Sequence, residues 1–191
     1  MEVFETIKTR RSIRQQKPDP FDDETLQKIL EAAQWAPSWT NTQCWRFIVV
    51  HDKDIKAQVA GTLSKKKRPD GTISANAATS TVVEAPVLIV VCAELGRSGC
   101  YDGTPVTDKE GYWYMFDTAL AMQNLCLVAH ALGVGTVIIG AFDAKKAAEI
   151  LGVPEGFCVV AMTPLGFPAQ EGRTPSRKEL SEIVFYNKYG T

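Results

Sequence analysis

Apolar positions along the chain fall into two periods. Leu26, Ile29, Leu30 and Ala33 recur at i, i+3, i+4 and i+7, the spacing of one helix face. Asp22 ahead of them is a good N-cap, Phe21 and Leu26 form a hydrophobic staple around it, and Pro37 ends the helix. Helical patterns also cover residues 54–63, 75–83, 112–132 and 143–151, with a short one over 3–8. The 112–132 pattern is apolar almost all round beyond residue 118, which predicts a buried helix, and Gly133 is its natural stop. Four runs are instead continuously apolar: 45–50, 87–93, 134–139 and 157–162. Runs of that kind predict strands covered on both faces.

Two stretches carry neither period. Residues 64–74 are polar and include the basic run 65–68, which reads as a solvated loop rather than a nucleic-acid contact. Residues 96–111 are rich in glycine and polar side chains and read as a second surface excursion. The last segment, 166–191, has few core residues yet ends in an apolar patch, Ile183, Val184, Phe185 and Tyr186. Such a tail needs something to pack on. With no repeat and no second core pattern, we expect one domain over 1–191, of which 166–191 is a C-terminal arm.

Composition narrows the function classes. At 45% hydrophobic and 23% charged, the 191-residue chain is ordinarily globular. Its 21 basic and 22 acidic side chains leave a net charge of −1, so no electrostatic footprint for nucleic acid or an anionic membrane exists. No apolar run reaches the roughly 20 residues of a membrane span, and the charged N-terminus has no signal-peptide core. The five cysteines form no Cys-x-x-Cys pair, and His51 and His130 are far apart, so no metal site is expected. Cys92, Cys126 and Cys158 lie in apolar runs and read as core residues, which points to a reducing cytoplasm. His130, in an apolar helix, reads as a lone core histidine.

Four segments have usable chemistry. Arg10, Arg11, Ser12 and Arg14 place three guanidiniums and a hydroxyl within five positions, suited to a phosphate or to capping a solvated helix end. Pro37, Ser38, Trp39, Asn41 and Gln43 form a polar helix-to-strand loop that can read the edge of a planar heterocycle, or merely cap its neighbours. Ile139, Gly140 and Ala141 make a strand-to-helix turn whose backbone N–H groups are open to an anion or a flavin N5. The tail stretch 173–178, with Arg177 and Lys178, is a second cationic candidate for phosphate. No Gly-x-Gly-x-x-Gly, P-loop lysine or Gly-x-Ser-x-Gly elbow is present.

In this order and spacing, these blocks resemble the nitroreductase family of FMN-dependent oxidoreductases. The resemblance runs along almost the whole chain, through Arg10 to Arg14, Pro37–Ser38 with Asn41, Gln43 and Trp45, Gln123–Asn124–Leu125, and Gly166–Phe167–Pro168. It implies an α+β sandwich: a central mixed sheet flanked by helices, in a homodimer whose C-terminal arms are exchanged and whose two FMN sites lie at the interface. Arg10, Ser12 and Arg177 match phosphate-holding positions, with Arg11 nearby, and Arg14 matches the cation beside the pyrimidine edge of the flavin. Pro37, Ser38 and Asn41 match a loop that reaches the flavin from the other subunit. Gly140 and Ala141 match the turn that donates to N5.

The implied activity is hydride transfer from NADH or NADPH through flavin N5 to a nitroaromatic, quinone, flavin or enone, in a ping-pong cycle. It needs no catalytic side chain, because the cofactor carries the chemistry. Alternatives are a specialised reaction of the family, reductive dehalogenation or flavin modification, or an FMN-binding protein without turnover. Two departures stand out. Cys44 occupies a position where the family usually has proline, and an exposed thiol there would be oxidisable. The 75–81 stretch offers Asn76 without the lysine that accompanies it in many relatives.

Overall fold

The computed structural model describes residues 1–67 and 70–190. Helix α1 (Val3–Thr9) leads to α2 (Asp23–Gln34), a 3-10 turn (Trp39–Asn41), β1 (Trp45–Val50) and α3 (Lys53–Ala60). A small hairpin, β2 (Lys66–Lys67) and β3 (Ile73–Ser74), precedes α4 (Thr79–Glu84) and β4 (Val87–Glu94). A second hairpin, β5 (Cys100–Tyr101) and β6 (Thr104–Pro105), precedes α5 (Trp113–Ala131). The chain continues through β7 (Gly135–Thr136), α6 (Ala144–Leu151) and β8 (Phe157–Gly166) to a 3-10 turn at Leu180–Glu182.

The main sheet has the order β1-β4-β8-β7, with every ladder antiparallel. The mixed character expected of it is confined to one parallel bridge, Ser12 with Thr136. Central strand β4 is buried along Val87 to Ala93, which is why its sequence is continuously apolar. Alternation sorts its side chains into two layers. Val87, Ile89 and Val91 join Ile29 and Ala33 of α2 and Ala121, Met122 and Leu125 of α5. Leu88, Val90 and Cys92 face the other way, onto Val59 of α3, Val82 of α4 and Ala147 of α6. The result is an α+β fold with helices on both faces of one sheet.

Local signals place the helices. The Asp22 carboxylate accepts from the Thr25 backbone N–H at 2.7 Å and caps α2, and both staple residues, Phe21 and Leu26, pack on the core. Asp52 and Asp143 cap α3 and α6 in the same way.

Several expectations are corrected. The strand expected over 134–139 pairs with β8 only at Gly135–Thr136 and again at an isolated Ile139–Met162 bridge. Ile138 between them turns outward and is 51% exposed, which interrupts the ladder. The two excursions each hold a two-stranded hairpin, although Arg68 of the basic run lies outside the described residues. Beyond residue 118 helix α5 is not buried all round: Ala121, Leu125, Cys126 and Ala129 are covered, whereas Ala119, Gln123 and Ala131 are exposed, as are Met115 and Phe116 nearer its start. Its covered side meets α2 and the sheet, and the other side finds no cover among the described residues. His130 is half-buried rather than core, with Nε2 2.9 Å from the Thr9 hydroxyl, because it points at α1 across a cleft of about 750 Å³. Burial, together with Arg10 and Arg11, holds its pKa below the ordinary histidine value. Cys158 is only partly buried.

Candidate functional site

After α1 the chain becomes extended and lies along the edge of the sheet. The Ile13 N–H donates to the Thr136 carbonyl at 2.8 Å, and the Ile13 side chain turns into the core. Arg10, Arg11, Ser12 and Arg14 then border a cavity of about 470 Å³, completed by Arg173, Pro175 and Arg177 at the root of the arm. Four sequence candidates from the N-terminal block and one from the tail thus meet across more than 160 positions of chain. Lys178 is exposed and is not part of the lining.

The arginines are not equivalent. Arg11 donates to the Lys8 and Arg10 carbonyls at 2.6 and 2.9 Å and to the Thr174 hydroxyl at 3.3 Å. It ties the arm to the end of α1. The arm can come this close because residue 172 is glycine: a Cβ there would stand 2.3 Å from the Arg11 Cβ. Arg14 is placed through its backbone, whose carbonyl accepts from the Thr81 hydroxyl at 2.5 Å, leaving the guanidinium at the surface. The lining carries five guanidiniums and one hydroxyl, with no carboxylate among the described residues. That donor set fits a phosphate dianion, which accepts several charge-assisted hydrogen bonds at once.

The Ser38–Gln43 loop is elsewhere on this chain. Asn41 and Gln43 border a separate cavity of about 270 Å³ with Gln34, Trp35 and Ala36. The loop is strained: Thr40, Asn41 and Gln43 have φ of 42°, 59° and 47°. Left-handed backbone at non-glycine residues costs of order 1–3 kcal/mol each and persists only where surroundings impose it. Here the Ser38 hydroxyl accepts from the Gln43 N–H at 2.9 Å and the Gln43 amide donates to Asn41 at 3.2 Å. Trp39 Nε1 and Thr42 Oγ1 are buried without a hydrogen-bond partner among the described residues. Pro37 sits at the head of the loop and is exposed.

Gly140 and Ala141 are exposed, whereas Ile139 is buried and paired with Met162. Gly140 borders an apolar cavity of about 250 Å³ with Ile138, Met115, Ala119 and Met122, on the uncovered side of α5. A Cβ at Gly140 would meet nothing within 4 Å, so the backbone is open to a ligand. Asn76 is engaged locally: its amide donates to the Ser64 carbonyl at 3.0 Å and accepts from the Ala78 N–H at 2.9 Å. Ser64 in turn donates to the Ala141 carbonyl at 2.9 Å, so Asn76 braces the turn.

One buried polar residue beside the Ser38–Gln43 loop escaped the sequence reading. Asp117 is 1% exposed and accepts from the Trp39 N–H. Its signal is a single acid in an otherwise apolar helix, a position that burial normally forbids without partners.

The departure at Cys44 is resolved by burial. Cys44 is fully buried, and its thiol is pushed up to about 11 by that burial and by the charge of Asp117. The thiolate is the reactive form. Native protein at pH 8 is therefore expected to leave Cys44 unlabelled by iodoacetamide, with denatured protein labelled fully. Peptide mass mapping checks this, and rapid native labelling at Cys44 would contradict it.

A sheet flanked by helices, with a cationic cavity at one edge, defines an α+β protein equipped for an anionic ligand. The model of the nitroreductase family matches residues 7–167. A protein of Methanothermobacter thermautotrophicus, whose name places it among the NADH dehydrogenase/NAD(P)H nitroreductases, is 32% identical over 178 residues, 91% of this chain and 81% of that one. The crystal structure of a nitroreductase family protein from Clostridium novyi NT is 33% identical with a TM-score of 0.76, covering 100% of this chain and 96% of that one. The NADPH:FMN oxidoreductase of Vibrio harveyi, solved with NAD+, gives a TM-score of 0.79 at 27% identity, covering 99% and 78%. The chain belongs to the nitroreductase family.

Proposed function

We propose that the protein is an FMN-dependent oxidoreductase that takes a hydride from NADH or NADPH and delivers electrons to a nitroaromatic, quinone or similar acceptor in a ping-pong cycle. The observation that carries this reading is the all-arginine cavity of Arg10, Arg11, Arg14, Arg173 and Arg177 with Ser12, whose donors suit a flavin phosphate. FMN bound there supplies the hydride chemistry at its N5. Arg10, Ser12 and Arg177 hold the phosphate, and Arg11 holds the arm that supplies Arg177. Arg14 offers a fixed cation to the pyrimidine edge of the ring, and the open backbone at Gly140 and Ala141 offers a donor to N5. No general acid or base is required of the protein.

The functional unit in this reading is a homodimer. Within one chain the Asn41–Gln43 edge and the arginine cavity are separate, and the exposed face of α5 and the apolar tip of the arm lack cover among the described residues. A second copy answers all three needs: its loop completes the site, its α5 covers α5, and its arm is exchanged. Reductive dehalogenation or flavin modification calls for a lid whose charges clamp a zwitterion or phosphate. The 96–111 segment is instead a short stretch with a small hairpin, β5–β6, and its cations Arg97 and Lys109 lie beside Glu94 and Asp108 at 3.8 and 2.5 Å.

The test is to purify the protein, release its cofactor by heat and identify it by mass. FMN at about one per chain, bleached by NADH or NADPH and re-oxidised by a quinone or nitroarene, is expected. FAD as the native occupant, or FMN that no nicotinamide reduces, would refute the reading.

A further inference from the structure

The Trp39 backbone N–H donates to Asp117 Oδ2 at 3.0 Å, and the Ser98 hydroxyl donates to the same oxygen. Asp117 stands in the second turn of α5 and is all but fully buried. Trp39 opens the strained loop, and Ser98 leads into the β5–β6 hairpin. One buried oxygen therefore joins three elements that are far apart in sequence. Aromatic packing repeats the junction: the Trp39 ring lies 5.3 Å from Trp113 of α5, edge to face, and 6.5 Å from Tyr101 of the hairpin. Gly99, beside Ser98, lies so close to α5 that a Cβ would stand 2.5 Å from the Trp113 Cβ. A loop with three left-handed non-glycine residues needs hold from outside itself, and the buried carboxylate is placed to provide it.

We propose that Asp117 is a positioning residue: it locks the Ser38–Gln43 loop and the 98–105 hairpin into one unit, which fixes how Asn41 and Gln43 meet the cofactor and, because Tyr101 of the hairpin packs against Trp39 of that loop, holds the hairpin beside the same ligand, where an acceptor would dock. The proposal rests on the flavin reading for the identity of that ligand, whereas the junction itself does not. Both donors use a single carboxylate oxygen. An amide retains such an oxygen and a methyl group does not, so Asp117→Asn should rescue what Asp117→Ala loses.

The experiment compares the parent, Asp117→Asn, Asp117→Ala and Ser98→Ala. It reads hydrogen exchange at the Trp39 amide, near-UV circular dichroism, FMN titration and kinetics with a quinone. In Asp117→Ala the Trp39 amide should exchange at least tenfold faster, the aromatic signal should shrink, and the FMN Kd and the quinone KM should each rise about tenfold or more. The nicotinamide KM should change less. Asp117→Asn should stay within about threefold of the parent on every readout. Ser98→Ala should keep Trp39 protected but speed exchange across residues 100–106 and raise the quinone KM.

Parent-like Trp39 exchange and aromatic signal in Asp117→Ala would overturn the proposal. Should that variant not fold, unchanged hairpin exchange and quinone KM in Ser98→Ala would overturn it instead. Failure of the parent to bind FMN would remove the flavin reading, and the exchange and dichroism measurements would still decide the junction.

Discussion

Truncation after Pro175 is expected to abolish both the FMN binding and the dimer proposed above. The arm leaves the body at Thr174, where Arg11 grips it, and from Arg173 to Val184 every residue is exposed. Leu180, Ile183 and Val184 are 73%, 56% and 42% exposed, although apolar residues of that size are stabilised by burial at roughly 1.5–3 kcal/mol each. The arm nevertheless has local order: Glu179 and Glu182 form a reciprocal capping box, and the Phe185 and Tyr189 rings lie 4.5 Å apart. An ordered, apolar and uncovered segment fits a partner surface better than solvent. Cutting it also removes Arg177 from the arginine cavity, and one charge-assisted contact to a phosphate is worth roughly 1.5–3 kcal/mol. That alone is a ten- to hundredfold loss of affinity, at about 1.4 kcal/mol per factor of ten. Light scattering coupled to gel filtration, with flavin absorbance recorded on the same peak, reads both losses. A truncated protein that stays dimeric and holds one FMN per chain would show that the arm has neither role.

Arg10→Gln and Arg14→Gln are expected to fail in different ways. Both residues border the same cavity, yet Arg10 follows directly on α1 and is half-buried, whereas Arg14 is exposed with its backbone held by Thr81. We assign Arg10 to the phosphate, whose charge is constant through the reaction. Its loss should weaken FMN binding ten- to hundredfold, and the refilled variant should keep the parent's potential. We assign Arg14 to the ring edge where reduction places negative charge. Only an interaction that differs between two states shifts the equilibrium between them. Arg14→Gln should therefore lower the bound-flavin potential and slow reduction by the nicotinamide even at saturating FMN. Redox titration of both variants beside the parent separates the roles. Equal potentials for the parent and Arg14→Gln would place the ring-edge cation elsewhere.

Much of the fold was legible along the chain because the relevant physics is local. The Asp22 cap, the Phe21–Leu26 staple and the 3.6-residue face of α2 are contacts among near neighbours. The unbroken apolar run of β4 announced a strand covered on both faces, because its side chains alternate into two cores. The arginine block is visible as residue types, although a solvated helix end accounts for those types at least as well.

Tertiary structure decided the rest. Only folding brings Arg173 and Arg177 beside Arg10 to Arg14, makes Arg11 a tie to Thr174 rather than a free cation, and turns Arg14 outward. It also truncated β7, since strand length depends on which partner lies alongside, and that partner is about 30 residues further along the chain. His130 and Asp117 show the same limit from opposite sides. Both sit in one apolar helix; the histidine faces a cleft, and the acid faces two donors delivered by distant segments. Periodicity states that a helix has faces, but the energy of a polar side chain on one of them depends on what packs there, and that is a property of the folded chain alone.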